Sequence, residues 1–254
     1  MNSYFKVMTI SGVLLICMVL LSKGKIDHVK AQSVKSGYTA ISGKGYNVAT
    51  TGTNALYTKP GNMRGAKLVA SKAKLKSFGS YSKSDAAAYV FHNKNNRDKG
   101  STYYFYVYGY QTTNSGSVYY KMVSQNGKYR GYIYGGKKVG KITGGIKKVQ
   151  TTKKVNIPSY FSGDVGIATP GKLWNFVPYT AYKTKLLGKM TSGESTTIPH
   201  LAKFKIDSAA ERTRERDTYY HVIAQDNSAL TGWVNAKYVR KYVEIQNNWG
   251  IVDN

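Results

Sequence analysis

Apolar and polar positions alternate most clearly between residues 116 and 136, and the pattern predicts a β-hairpin. Two segments rich in β-branched and aromatic residues, Ser117–Ser124 and Lys128–Tyr134, flank the dipeptide Asn126-Gly127. Asn-Gly favours a two-residue type I′ turn, because both of its residues readily adopt positive φ angles. A loop of that length pairs each residue i with residue 253 − i. The sequence therefore predicts both a hairpin and its register.

The predicted register gives this hairpin two chemically different faces. Successive side chains of a strand point to opposite sides of the sheet. One face is predicted to belong to the core and carries Val118, Tyr120, Met122, Tyr129, Gly131 and Ile133. The other face pairs tyrosines with cations, and its pairs are Tyr119 with Tyr134, Lys121 with Tyr132, and Val123 with Arg130. We interpret the second face as a ligand-binding surface.

The predicted ligand offers flat, weakly polar faces together with negative charge. Aromatic rings stack on such faces, while lysine and arginine contact anionic groups. The aromatic residues assigned to stacking are Tyr119, Tyr132 and Tyr134, and the cations assigned to anionic groups are Lys121, Lys128 and Arg130. The alternative interpretation is that the tyrosines only fill a small β core and that the lysines are only solvated.

Composition favours an all-β fold. The chain of 254 residues contains 23 Tyr and 26 Gly but only 5 Pro. Tyrosine, threonine and valine favour strands, and glycine supplies turns between them. We therefore expect small β-barrel or hairpin modules.

The hairpin pattern occurs a second time in the chain. Val118–Val123 matches Thr218–Ile223, and Gly131-Tyr132-Ile133 matches Gly232-Trp233-Val234. The match predicts two tandem modules, residues 32–150 and 151–254. The outward face of the second module would carry Tyr219, His221, Ile223 and Trp233, and Tyr220, Val222 and Val234 would point inward. We assign Tyr219, His221 and Trp233 to ligand binding.

Positive charge is concentrated in the first of these modules. The whole chain has a formal net charge of +26. Residues 32–150 hold 20 Lys and Arg against two acids, Asp85 and Asp98, whereas residues 151–254 hold 14 Lys and Arg against 9 acids. So large an excess repels itself unless counter-charge is supplied. A polymer with repeated phosphates would supply it, by the counterion release that also governs nucleic-acid binding.

The N-terminus predicts secretion. A mostly apolar run, Val7–Leu21, is followed by Val29-Lys30-Ala31, which resembles a signal-peptide cleavage site after Ala31. The alternative is an uncleaved membrane anchor, although a run of this length is short of the roughly 20 residues that span a bilayer. The single cysteine, Cys17, lies within the run, so residues 32–254 contain no disulfide.

Residue types needed for catalysis are not grouped in recognisable motifs. The four histidines are scattered, and no HExxH zinc motif, GxSxG nucleophile elbow or phosphate-binding P-loop occurs. Glu211, Glu215 and Asp217 lie in the run ERTRERD, which is more typical of a self-paired charged turn than of a glycosidase pair. We expect no enzyme activity, no metal and no cofactor.

Three stretches resemble the N-terminal cell-wall-binding region of surface-layer (S-layer) proteins from lactobacilli. They are TGTNALYTKPGNMRGAKLVASK at 51–72, TTNSGSVYYKMVSQNGKYRGYIYGGK at 112–137 and AAERTRERDTYYHVIA at 209–224. The Gly-aromatic-aliphatic triplets at 131 and 232 also resemble bacterial SH3-like wall-binding modules. The resemblance implies paired SH3-like repeats that attach non-covalently to wall polysaccharide or teichoic acid. An S-layer subunit of that type continues into an assembly domain, whereas this sequence stops at Asn254.

The expected partner is therefore a cell-wall polymer, either teichoic acid or neutral polysaccharide, with self-association in a surface layer as a further expectation. Three alternatives stay open. One is an adhesin-like module that binds host glycans or matrix proteins. Another is a basic protein that binds single-stranded nucleic acid, which secretion disfavours. The third is a fragment of a wall hydrolase, which zymography on gels with embedded cell wall would detect.

Overall fold

The computed structural model describes residues 37–79, 103–191, 197–226 and 228–248. The leader at residues 1–31, a short helix expected at 84–90 and a polar loop expected from residue 92 lie outside these ranges. Within them, no helix is both long and apolar enough to cross a membrane.

The first sheet has eight antiparallel strands, drawn from residues 39–148. They are β1 Thr39–Ala40, β2 Tyr46–Thr50, β3 Leu56–Tyr57, β4 Leu68–Ala70, β5 Tyr104–Thr112, β6 Val118–Ser124, β7 Arg130–Gly136 and β8 Ile146–Lys148. Their order is β4-β3-β7-β6-β5-β2-β8, and β1 pairs with β5. Helix α1, Lys72–Gly79, buries Leu75 in the core of this module.

The second sheet, from residues 152–241, repeats the arrangement strand for strand. Its members are β9 Thr152–Val155, β10 Val165–Ile167, β11 Lys172–Trp174, β12 Leu186–Lys189, β13 Phe204–Arg212, β14 Thr218–Ala224, β15 Gly232–Asn235 and β16 Val239–Lys241. Their order is β12-β11-β15-β14-β13-β10-β16, and β9 pairs with β13. Three short 3₁₀ turns (Ser159–Phe161, Ser228–Leu230, Ala236–Tyr238) and helix α2, Tyr242–Asn248, complete the module.

The two modules confirm the predicted all-β fold with a tandem repeat. Each module has its own hydrophobic core. The first core contains the predicted inward residues Val118, Tyr120, Met122 and Ile133, and the second contains Tyr220, Val222 and Val234. The boundary that we drew after residue 150 stays a prediction, although the strands divide between Lys148 and Thr152.

The register of the central hairpin is as predicted over most of its length. On the outer face, Tyr119 pairs with Tyr134, Lys121 with Tyr132, and Val123 with Arg130. On the core face, Tyr120 pairs with Ile133, and Met122 pairs with Gly131. A bulge at the open end shifts Val118 onto Gly136 in place of residue 135.

The predicted type I′ turn is wrong. Gly127 has φ +77°, but Asn126 is not among the residues with positive φ. The loop is four residues, 125–128, because the Ser124 N–H donates to the Tyr129 carbonyl and the Gly127 N–H donates to the Ser124 carbonyl. The Asn126 side chain explains the difference, since its Oδ1 accepts from the Lys128 N–H and the Ser124 hydroxyl, as in an Asx turn. Loops of two and four residues give the same strand register, so the face assignment survives.

Candidate functional site

A row of five residues crosses the outer face of the first sheet. Neighbouring strands place side by side Leu68, Tyr57, Tyr132, Lys121 and Gly109. Lys121 lies on the central strand β6, so it has a strand on either side. The row holds an apolar end, an aromatic middle and one cation.

The ammonium of Lys121 lies among three tyrosine rings. Its Nζ is 3.9 Å from the ring centre of Tyr38, 5.3 Å from that of Tyr132 and 5.8 Å from that of Tyr108. A bulge in β5 makes this possible, because the ladder skips from Val107 to Gly109 and leaves Tyr108 as the extra residue. Such cation–π contacts contribute roughly 0.5–2 kcal/mol each, more when the charge is partly desolvated.

The lack of a side chain at Gly109 makes room for Tyr38 next to Lys121. A Cβ at position 109 would lie 2.2 Å from a ring carbon of Tyr38. The missing side chain therefore leaves space for the tyrosine ring against the strand beside Lys121.

Positive charge in this region has no carboxylate counterpart in the described residues. The described part of the first module, residues 37–79 and 103–150, carries 15 Lys and Arg and no Asp or Glu. Burial, followed by repulsion from Arg130, lowers the pKa of Lys121 below its ordinary value. A bound anion would oppose this lowering, because a nearby negative charge favours the protonated lysine.

Arg130 is held by two phenols. Its Nη1 donates to the Tyr108 hydroxyl at 3.0 Å, and its Nη2 donates to the Tyr182 hydroxyl at 2.8 Å. Tyr182 belongs to the second module, in the segment between β11 and β12. The guanidinium therefore lies where the two modules meet.

Lys121, Arg130 and Tyr132 line one open cleft of about 450 Å³. The loop after β3 also lines the cleft, and the lining residues from it and from neighbouring strands include Thr58, Lys59, Pro60, Met63, Gln111 and Gly131. Tyr132 is only 8% exposed, so it forms part of the wall and does not offer a free ring for stacking. The cleft combines three cations with apolar and aromatic surface, and it can accept an anionic group attached to a larger body.

The remaining predicted residues of the first module lie at the ends of the hairpin. Tyr119 and Tyr134 are half-buried and pack edge to face, with ring centres 5.6 Å apart. Lys128 is exposed in the hairpin loop, with its Nζ 5.7 Å from the ring of Tyr129, which packs against Phe78 of α1. Lys128 thus contacts the core side of the hairpin.

The second module places its predicted residues differently. Tyr219 is 7% exposed and packs against Val177 and Ala210, with Trp233 beside it. The segment after β11 covers this part of the sheet. The Tyr219 ring is therefore not available for stacking, and we remove it from the candidate surface.

His221 and Trp233 remain together on the outer face. Their ring centres are 5.2 Å apart, and His221 Nδ1 lies 2.7 Å from Asp207 Oδ1. Asp207 occupies the bulge of β13, where the ladder skips from Ile206 to Ser208. A carboxylate therefore lies beside the imidazole on this face, unlike its counterpart in the first module.

Tyr38, Tyr108 and Tyr182 were missed by sequence reasoning. The sequence does contain a signal for Tyr38 and Tyr108, because a glycine inside the aromatic run TYYFYVYGY indicates a bulge or a close approach of another group. The sequence contains no such signal for Tyr182, because it reaches Arg130 only through the packing of one module on the other.

Within the described ranges, no three His, Cys, Asp or Glu side chains come together to hold a metal ion. No family model matches the chain, and no curated protein matches it. A crystal structure titled "putative autolysin from Listeria monocytogenes" is similar with a TM-score of 0.30 and 16% identity, over 82% of this chain and 66% of that one. The match spans slightly less than two thirds of that protein's length, and a likeness this low carries no argument about function.

Proposed function

We propose that this chain is a secreted surface protein that binds an anionic polymer of the Gram-positive cell wall. The observation that supports this proposal is the convergence of Lys121 and Arg130 on one open cleft of about 450 Å³, with Tyr132 in its wall. In residues 37–79 and 103–150 of that module, 15 Lys and Arg stand against no carboxylate, and this excess of positive charge favours an anionic partner. Teichoic acid, with its repeated phosphates, fits this electrostatic requirement better than a neutral polysaccharide does.

The mode of attachment that we propose is non-covalent, as in the wall-binding region of S-layer proteins. The cleft would take one anionic unit of the polymer. The other exposed cations of the first module would contribute non-specific attraction along the chain of repeats, which depends strongly on salt. Binding would therefore combine one specific contact in the cleft with non-specific electrostatic attraction outside it.

Sedimentation with purified cell-wall fragments tests this function. The fragments are used before and after acid extraction of phosphate-linked polymers, across a series of salt concentrations. We expect binding that weakens steeply with salt and is lost on extraction. Binding that resists salt and survives extraction would contradict the anionic partner and favour neutral polysaccharide. Absence of binding would contradict wall attachment and favour the adhesin alternative.

Two variants separate the cleft from general charge. Lys121→Met removes a cleft cation, and Lys147→Met removes an exposed cation from strand β8 of the same module. Both change the net charge equally. We expect Lys121→Met to reduce wall binding several-fold more than Lys147→Met, because direct contact with an anion exceeds a screened contribution. Equal losses would mean that the cleft is not the site.

A further inference from the structure

We infer that Tyr182 of the second module positions Arg130 for the ligand, so that the binding site is completed by both modules. This inference rests on the proposed function, because it assigns a partner to a cation of the proposed cleft. Its first support is the hydrogen bond from Arg130 Nη2 to the Tyr182 hydroxyl at 2.8 Å.

The Tyr182 ring is itself held against the first module. It stacks on Tyr106 with ring centres 6.0 Å apart and an interplanar angle of 21°. Tyr106 lies on β5, opposite Val123, and Val123 lies opposite Arg130. Tyr106, Val123 and Arg130 therefore form one row of the first sheet, and Tyr182 contacts both ends of that row.

Hydrogen bonds beside this contact fix the segment that carries Tyr182. Asn47 Nδ2 of the first module donates to the Thr180 carbonyl at 2.9 Å and to Thr151 Oγ1 at 3.1 Å. The Thr151 hydroxyl donates to the same carbonyl at 2.8 Å. Thr180 is 5% exposed, so these bonds are shielded from water.

The backbone on either side of Tyr182 supports the same conclusion. Tyr179 and Lys183 have φ angles of +65° and +67°. Residues with a side chain adopt this region at a cost, and they keep it only where surrounding contacts hold them there. The segment is therefore held in one conformation that directs Tyr182 towards Arg130.

The consequence concerns the orientation of Arg130. A free arginine samples many rotamers, and fixing it on ligand binding costs side-chain entropy. Two phenol oxygens, from Tyr108 and Tyr182, hold the guanidinium in place before the ligand arrives. The second module would thus raise the affinity of a cleft whose cations, Lys59, Lys121 and Arg130, belong to the first.

The test uses the full chain and a double-mutant cycle of Tyr182→Phe and Arg130→Gln. Phenylalanine keeps the ring that stacks on Tyr106 and removes only the hydroxyl. Tyr238→Phe is the matched control, a half-buried tyrosine of the second module outside this contact. The probes are linear polyphosphate, which carries phosphates without sugars, and cell-wall fragments. Thermal unfolding verifies that each variant is folded.

We expect Tyr182→Phe to lower affinity for polyphosphate about threefold to fivefold, which is the effect of losing one hydrogen bond to a partly exposed charged group. The dependence of affinity on salt should stay unchanged, because no charge is lost. Arg130→Gln should lower both the affinity and the slope of that dependence, the slope by about one. The double variant should match Arg130→Gln alone, and Tyr238→Phe should match the unaltered chain.

Additive losses in the double variant, or an unchanged affinity in Tyr182→Phe, would overturn the positioning role. If polyphosphate gives the expected pattern and wall fragments do not bind, the wall function fails while the role of Tyr182 stands. If neither probe binds the unaltered chain, both proposals are wrong.

Discussion

Lys121 and His221 occupy equivalent positions in the two repeats and have opposite kinds of neighbour. Each lies on the sixth strand of its sheet, opposite a bulge, with an aromatic residue on the other side. The bulge residue beside Lys121 is Tyr108, whereas the bulge residue beside His221 is Asp207, 2.7 Å away. The two faces thus differ at the bulge, where a phenol lies near the lysine and a carboxylate lies beside the histidine.

This relationship predicts the effect of removing Asp207. Asp207→Asn should raise the affinity for polyphosphate about twofold at about 10 mM salt, where the Debye length is about 30 Å. The increase should disappear near 1 M salt. The charge-matched control is Asp226→Asn, an exposed acid of the same module. An equal increase in the control would show that the local pairing with His221 is irrelevant.

A second prediction concerns alkaline pH. Burial and the neighbouring Arg130 lower the pKa of Lys121 from its ordinary 10.5, and loss of its proton removes a cation from the cleft. Affinity for polyphosphate should therefore begin to fall at a pH below 10.5. Lys121→Arg should hold its affinity further into that range, because arginine stays charged. Identical pH profiles for the two proteins would contradict a role for Lys121.

A third prediction tests the close contact of β7 with β3. A Cβ at Gly131 would lie 2.3 Å from the carbonyl oxygen of Tyr57, a backbone atom that cannot move without breaking the strand pairing. Gly131→Ala should lower the free energy of unfolding by about 2–3 kcal/mol. Gly163→Ala is the control, because a Cβ there meets nothing within 4 Å, and it should change stability by less than about 0.5 kcal/mol. Denaturant unfolding measures both, and equal effects would contradict the steric account.

A fourth prediction concerns a buried carboxyl of the second module. Burial raises the pKa of Glu215, even though Arg212 Nε lies 3.7 Å from its Oε2. The folded protein therefore binds this proton more tightly than the unfolded chain does. The resulting stabilisation is fully present below the ordinary pKa of 4.5 and is lost as the pH rises through the raised pKa.

Glu215→Gln should accordingly have a higher free energy of unfolding than the unaltered chain at neutral pH. The difference should vanish below the ordinary pKa of glutamate, where both side chains are neutral. Chemical denaturation at the two pH values measures it. A variant that is less stable at neutral pH would show that attraction to Arg212 outweighs the cost of burying the charge.

The hairpin shows how far sequence reasoning reaches in this molecule. Apolar and polar residues alternate along the hairpin with a period of two. This alternation predicts the strands, their register and the two faces, and it depends only on residues that are neighbours in the chain. The predicted turn type was wrong because the Asn126 side chain accepts a hydrogen bond from the Lys128 N–H and stabilises a longer loop. The turn preference of Asn-Gly does not take this side-chain hydrogen bond into account.

The candidate site was predictable only in part, for a different reason. Lys121, Arg130 and Tyr132 could be placed together because the hairpin alone sets their spacing. Tyr182 and the burial of Tyr219 depend on a loop whose position is set by tertiary packing. No local pattern encodes which face such a loop covers.

The even number of residues in the loop 125–128 has a consequence for how this surface can change over generations. Insertion or deletion of two residues at the tip keeps every pair of the ladder, and with it the choice of which side chains meet solvent. A change of one residue requires a loop of odd length, such as the three-residue loop that closes with a G1 bulge. Length variation among descendants of this gene should therefore favour steps of two at this tip.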